Sequence, residues 1–340
     1  MTAVHTDDLT STSSTPHRII VGPTAAGKSA LAMSLAQARR LAIVSADSRQ
    51  VYQGFDIGTA KPPRSDRSAV PHYGVDVVPP TVRYSAHAWA ADAVRWSLAA
   101  AQAGTPPVIV GGTGLYVKAL VSPLDAVPAL DPDRREALRQ WLAACSLDEL
   151  MRWCRRLDPA RSHLGRTQLL RALETALLAG TRLSAALRSV ATPADEAAAA
   201  PEAATPAPVR YLLVDPGPVL AERIAHRVNQ MIADGFVQEV ERLRQTVAPD
   251  APAWTASGYR VVRDALDAGV GARALDAAFG RVIIESRQYA KRQRTWFRHQ
   301  LPAAHVTRID PGAPDAFDRA LAWWDHAESI ADFTTQTRTV

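Results

Sequence analysis

Three short polar stretches hold the residues of this 340-residue sequence whose types and spacing could do chemistry. The first is "GPTAAGKS", which meets G-x-x-x-x-G-K-[ST] at every fixed position. Such a loop, here Gly22, Pro23, Thr24, Ala25, Ala26 and Gly27, offers the backbone N–H groups of its non-proline residues and a helix N-terminus to phosphate oxygens. Lys28 adds a point charge, and the Ser29 hydroxyl commonly helps hold Mg²⁺. A nucleoside triphosphate is the usual ligand. Such enzymes also carry an apolar strand ending in an Asp that holds the metal. Here "PVIVGGTG" ends in glycine and threonine instead. Asp47, in "IVSADS", is the acid placed at a strand end. It could serve the metal, act as a general base beside the phosphate, or close a turn. Thr113, in "GGTG", could donate to a phosphate oxygen where the backbone approaches a ligand closely, or simply lie in a strand-to-helix turn.

These stretches need a scaffold that brings them together. "RIIVG" (18–22) is a short apolar run entering the first loop, and "KSALAMSLAQARR" (28–40) places Leu31, Leu35 and Ala38 at helical spacing. "LAIVSADS" (41–48) and "PVIVGGTG" (107–114) read as strands that end on polar residues. Ser85 can cap a helix running to Gln102, with Trp89, Ala93 and Trp96 on one face. "VRYLLVDPG" (209–217) predicts a further strand of the same sheet. Strands alternating with helices imply a parallel sheet with right-handed crossovers, and ligands sit at the carboxyl ends of its strands. All three polar stretches fall there. The expected fold is α/β, with a P-loop NTPase-like parallel sheet core.

From 121 to 190 the strand pattern stops. Asp131 can cap a helix with Pro132 at its first position, Ser146 and Glu149 form a capping box, and Gly180 can end a third helix. An inserted all-helical domain is expected. "ATPADEAAAAPEAATPAP" (191–208) reads as a flexible linker. Helices are predicted over 218–246, 257–268, 272–298 and 314–331. The expected divisions are a disordered lead (1–16), a catalytic core (17–120 and 209–312), the insertion (121–190), the linker and a C-terminal tail (313–340).

Composition narrows the setting. No run of about 18 apolar residues predicts a membrane span. The polar, acidic N-terminus does not read as a signal peptide. Cys145 and Cys154 make neither a C-x-x-C pair nor a zinc pattern, so a reduced cytoplasmic protein is expected. A monomer is the expected state. Net charge is +5, and the segment "RVIIESRQYAKRQRTWFRHQ" (281–300) holds six Lys/Arg against one Glu. That cluster suggests a polyanionic partner or a solvated helix face.

Taken together, these blocks resemble the tRNA dimethylallyltransferases, also called tRNA isopentenyltransferases, of the bacterial type. The likeness rests on "GPTAAGKS" (22–29), "SADSRQVYQGFDIGTAKP" (45–62), "VGGTGLYVKAL" (110–120) and "SRQYAKRQRTWFR" (286–298), with "SGYR" (257–260) and "LLRALE" (169–174) beside them. The resemblance implies transfer of a dimethylallyl group from dimethylallyl diphosphate to N6 of the adenosine 3′ of the anticodon, with Mg²⁺ and without ATP. A P-loop that holds a diphosphate leaving group needs no ATPase apparatus.

The resemblance also implies roles. Asp47 matches the general base, Thr113 the contact to the bridging oxygen, and Arg223 a diphosphate arginine. Implied tRNA contacts are Asp47, Ser48, Arg49, Gln50, Leu115, Arg135, Thr167, Gln168, Leu169, Leu170 and Arg171. They continue with the turn from Thr255 through Gly258, Tyr259 and Arg260, and with Lys291, Arg292, Gln293, Arg294, Thr295, Trp296, Phe297 and Arg298. The stretch "SHLGRTQLLRALE" departs from the family, with Leu164, Gly165 and Gln168 where Asn-Asp and then Arg are usual. Three rivals remain at this stage: a P-loop metabolite kinase, an RNA-binding protein with a dead site, and an enzyme that prenylates free adenine nucleotides.

Overall fold

The computed structural model describes residues 17–122, 130–189, 209–269 and 272–326. The expected lead, the linker and the last part of the helix predicted over 314–331 lie outside the described residues. Along the chain come β1 (His17–Val21), α1 (Lys28–Arg39), β2 (Ala42–Ser45), α2 (Arg64–Ala69), β3 (His72–Tyr73), α3 (Ala86–Gln102), β4 (Pro107–Gly111) and α4 (Gly114–Val121). Four helices follow: α5 (Pro132–Ala143), α6 (Leu147–Leu157), α7 (Arg166–Ala179) and α8 (Leu183–Ser189). The chain then forms β5 (Val209–Val214), α9 (Leu220–Ala233), α10 (Phe236–Thr246), α11 (Tyr259–Asp267), α12 (Ala272–Gln300), β6 (Val306–Ile309) and α13 (Ala316–Asp325).

The strands form one parallel sheet in the order β3-β2-β4-β1-β5-β6. β1 lies between β4 and β5, with Ile20 in register with both Val110 and Leu212. Successive side chains alternate between two cores, as the two-residue period of a strand requires. Ile19, Val21, Ile109 and Leu213 pack with Trp89 of α3, Val228 of α9 and Phe297 of α12. Ile20, Val110, Leu212 and Ile309 pack with Leu31 and Leu35 of α1 and with Trp323 of α13. A sheet covered on both faces is what unbroken apolar runs such as "IIV" and "VIV" demand.

Several expected boundaries move. The tails "ADS" and "GTG" leave the sheet, so β2 and β4 are shorter than predicted. The helix expected over 218–246 is two, α9 and α10, broken where Gly235 takes φ 96. The expected C-terminal tail is part of the core for as far as it is described. Just before it, within the expected core, β6 extends the sheet beside β5, and in the tail itself Trp323 of α13 is 3% exposed against the α1 face. The sheet was hidden there because "VTRI" is short and half polar. α2 and β3 were not predicted either. Among the described residues no helix is long and apolar enough to cross a membrane.

Contacts divide the described chain into two compact units, one from 17–121 with 209–326 and one from residue 122 and 130–189. The helical unit has its own core, with Leu142, Leu150, Cys154, Leu169 and Leu173 buried. Its caps form as their residue types require. The Asp131 side chain accepts from Arg134 N–H, both bonds of the Ser146–Glu149 box are present, and Gly180 takes φ 65.

Candidate active site

The P-loop leaves the carboxyl end of β1 at the centre of the sheet. Gly22 is required there by a close approach: a Cβ would lie 2.2 Å from the Val214 carbonyl oxygen of β5. Gly27, at φ 95, turns the chain into α1. Lys28 folds back and its Nζ donates to the Pro23 carbonyl at 2.7 Å. Burial, followed by the neighbouring Arg227 cation, pushes the Lys28 ammonium down to about 8, although Asp47 favours its charged form. Ser29 is exposed in the first turn of α1 and lines the same cavity as Lys28 and Asp47.

Two arginines one helical turn apart on α9 face this loop. Arg223, expected from the resemblance, lies with Nη2 3.3 Å from where a Cβ on Gly27 would be. Arg227 was missed, yet it reaches deeper. Its Nη1 donates to Thr24 Oγ1 at 3.2 Å, and burial lowers its pKa. The signal was present in "RIAHR", since an i,i+4 pair shares a helix face.

The ends of β2 and β4 are knitted together opposite the loop. Thr113 N–H donates to the Ala46 carbonyl at 3.2 Å, and Ser48 N–H donates to Thr113 Oγ1 at 3.0 Å. Asp47 Oδ1 accepts from Arg49 N–H at 2.8 Å, so one carboxylate oxygen holds its own turn. Thr113 Oγ1 donates to the Ser48 hydroxyl at 3.3 Å and lies near the Tyr289 hydroxyl. Burial, and next the Asp47 charge, raise the Tyr289 pKa, which keeps that phenol neutral. Tyr289 was not foreseen as a site residue, because nothing in the helix period orients it.

Two cavities meet at Asp47 and Tyr289. One, of about 1030 Å³, is lined by the P-loop, Arg223, Ile57 and Lys61. The other, of about 500 Å³, is lined by Arg49, Thr255, Ser257 and Arg292. Thr24, Asp47, Thr59, Arg227, Met231 and Tyr289 line both. A ligand on the phosphate side and a ligand on the Arg49–Arg292 side would therefore face each other across Asp47.

The "DIGTAKP" block frames the larger cavity through buried charge. Lys61 donates to the Tyr52 carbonyl, to Asp56 at 2.7 Å and to Asp76 at 2.5 Å, and Arg67 also binds Asp76. Glu239 of α10, itself buried, accepts from Asp56 N–H at 3.1 Å, Ile57 N–H at 2.9 Å and the Tyr259 hydroxyl at 2.5 Å. Tyr259 in turn accepts from Gly58 N–H at 3.0 Å.

The residues expected to touch RNA separate into two groups. Arg49, Thr255, Arg260, Leu115, Lys291, Arg292, Thr295 and Arg298 are exposed or half-exposed on the sheet unit, with Arg49 donating to Thr255 Oγ1. On the helical unit, Thr167, Gln168 and Arg171 are exposed. Others are corrected by the packing. Leu169 lies in the helical core with Leu170 packed against it, and Tyr259, Phe297 and Gly258 are buried in the sheet unit. Trp296 packs over Gly114, Gln293 is 6% exposed, and Arg294 forms an ion pair with Asp215 at 2.5 Å. Arg135 and Arg139 hold the buried Glu174 at 2.7 and 2.8 Å, so much of Arg135's bonding is spent within its own unit. Gln50 bridges Ser45 and the Ala60 carbonyl. Helical periodicity alone could not say which face of each segment turned inward.

A parallel sheet of this order, with a P-loop at its centre and an Asp–Thr pair across from it, defines a P-loop-type α/β protein. Comparison narrows the class. The IPP transferase family model matches residues 50–300, and the isopentenyl transferase model matches 16–70. A tRNA dimethylallyltransferase of Burkholderia pseudomallei (strain 668) is 39% identical over 92% of this chain and 94% of its own. The full-length tRNA isopentenylpyrophosphate transferase of Bacillus halodurans superposes with TM-score 0.57 at 31% identity, covering 87% of this chain and 89% of that one. A eukaryotic dimethylallyltransferase acting on tRNA shares the fold, with TM-score 0.70 at 22% identity over 96% of this chain and 81% of its own. The chain belongs to the IPP transferase family, the tRNA isopentenyltransferases, and is a prenyltransferase.

Proposed function

We propose that this protein transfers the dimethylallyl group of dimethylallyl diphosphate to N6 of the adenosine 3′-adjacent to the anticodon of tRNA and releases diphosphate. The observation that carries this reading is the meeting of the two cavities at Asp47, Arg227 and Tyr289. One side is built for phosphate and the other offers Arg49, Thr255 and Arg292 to a nucleic acid. The family relationship supports tRNA over a free nucleotide or a metabolite.

In the step, the N6 lone pair forms a bond to the allylic carbon while the carbon–oxygen bond breaks. The bonding pair leaves with the diphosphate, and the N6 proton passes to the Asp47 carboxylate. Lys28, Arg227 and the loop amides stabilise charge where it grows, on the leaving oxygens. Thr113 turns its hydroxyl hydrogen from Ser48 toward the bridging oxygen. An exocyclic adenine amine is a weak nucleophile, so Asp47 contributes mainly by orienting it; its turn, fixed through Arg49 N–H, supplies that geometry. The base must leave its stack to enter, and contacts along the smaller cavity offset that cost.

Among the described residues no group of three or more His, Cys, Asp or Glu could hold a metal by itself. Ser29, lining the same cavity as Lys28, fits a Mg²⁺ bound mostly through substrate phosphates. There the ion would act as a Lewis acid on the departing diphosphate. The two unpaired cysteines support a cytoplasmic setting.

The test is label transfer from dimethylallyl diphosphate to unmodified tRNA that carries the target adenosine, with Mg²⁺ present or chelated. Transfer that needs Mg²⁺ and no ATP is expected. ATP-dependent phosphorylation of a metabolite, with no label on tRNA, would overturn the reading.

A further inference from the structure

Gln293 lies on α12 among basic neighbours that face outward, yet it is 6% exposed. Its Oε1 accepts from Thr24 N–H at 2.8 Å, and its Nε2 donates to the Gly112 carbonyl at 2.8 Å. Thr24 belongs to the P-loop after β1, and Gly112 to the turn after β4. The paired register of these strands ends at Val21 and Gly111. Beyond that point the Gln293 amide joins the two loops. A side-chain amide is the neutral group that can accept from one backbone and donate to another at the same time.

The turn itself is shaped to receive α12. A Cβ on Gly112 would lie 2.3 Å from Gln293 Nε2, and a Cβ on Gly114 would lie 2.3 Å from Trp296 Cδ2. The two glycines flank Thr113, and Gln293 and Trp296 are one helical turn apart. Each inserts into one of the gaps on either side of the threonine.

We infer that Gln293 is a positioning residue that sets the distance between the P-loop and Thr113, so that one diphosphate can be held by both. This rests on the diphosphate reading given above. The amide spends the Thr24 N–H on structure, leaving the later amides of the loop and Lys28 for the ligand. It also means that Gln293 does not contact RNA, although Lys291 and Arg292 beside it are exposed.

The test compares wild type with Gln293→Met, which keeps the volume and removes both bonds. Three quantities are read: the single-turnover transfer rate at saturating substrates, inorganic diphosphate affinity without tRNA, and tRNA affinity. A misplacement of about 1 Å is worth roughly a hundredfold in rate. The expected result is a transfer rate down by about that factor, diphosphate affinity weakened about tenfold, and tRNA affinity unchanged within about twofold. A transfer rate and diphosphate affinity within about twofold of wild type would overturn the inference. So would weakened tRNA affinity with an intact transfer rate, which would make Gln293 an RNA contact. Should Gln293→Met melt below the assay temperature, Gln293→Glu is read in the same way, since it keeps the acceptor for Thr24 and loses the donor to Gly112. If wild type itself transfers no label, the diphosphate reading has failed; the diphosphate affinities still judge the Gln293 contact.

Discussion

Arg227 donates from Nη1 to the hydroxyl of Thr24, 203 positions earlier, at 3.2 Å. This bond ties α9 to the P-loop and brings a half-buried guanidinium beside Lys28. Arg227 disfavours the Lys28 charge while Asp47 favours both cations, an arrangement completed by an anionic ligand. Arg227→Ala is expected to weaken diphosphate binding and to slow single-turnover transfer by at least about a hundredfold, as loss of a charge-stabilising donor does. Arg223→Ala, at the rim, should have the smaller effect. A larger loss at Arg223 would reverse the assignment.

Lys28 titrates near 8 in the free protein, below the ordinary lysine range, because burial and Arg227 disfavour its charge. A bound diphosphate favours the charged form. Above about pH 8 binding must therefore take up a proton, and affinity falls as pH rises. Calorimetry at pH 8.5 in two buffers of different ionisation enthalpy should show uptake of up to roughly three-quarters of a proton from this group. Lys28→Arg should remove that uptake. Equal heats in both buffers for wild type would sink the idea.

Asp47→Asn preserves a side-chain oxygen for the Arg49 N–H, so the turn survives while the proton acceptor is lost. The transfer rate should drop by about 10² to 10⁴, with tRNA affinity and melting temperature held. Asp47→Ala removes the turn bond too and should cost more. A single-turnover rate for Asp47→Asn close to wild type would deny Asp47 its role as base.

On α12 the exposed cations and the paired one should part company under salt. Arg298→Ala or Lys291→Ala should reduce the slope of log affinity for tRNA against log salt by about one each. Arg294→Ala breaks the Asp215 pair, so it should lower the melting temperature and leave the slope unchanged. An altered slope for Arg294→Ala would place that residue on RNA.

Glu239 should prove essential to the fold of the "DIGTAKP" loop. Its carboxylate takes backbone N–H groups from Asp56 and Ile57 together with the Tyr259 hydroxyl. Glu239→Ala should cost on the order of 3 kcal/mol in denaturant unfolding, since buried donors are left unpaired. A loss below about 1 kcal/mol would mean that water replaces the carboxylate.

Much of the site was legible because its chemistry is carried by local motifs. "GPTAAGKS", "SADS" and "GGTG" each end an apolar run, and a parallel sheet delivers such ends to one edge. The caps at Asp131, Ser146 and Gly180 were legible for the same reason: the residues that make them are within four positions of each other. Arg227 could have been read from "RIAHR", but only with a phosphate site already placed beside that helix. Tyr289, Gln293 and Arg294 were not separable from Arg292 and Lys291, because a long polar helix repeats itself on every face.

The sequence by itself determined the α/β class, the phosphate loop, the acid and threonine opposite it, and the family. Those depend on short-range order, which spacing records. Only the tertiary structure decided which face of α12 is buried, which α9 arginine reaches Thr24, and that β6 and α13 close the sheet. Those depend on contacts between residues far apart in the chain. Burial there turned residue types suited to RNA into packing and hydrogen-bonding partners of the catalytic loops.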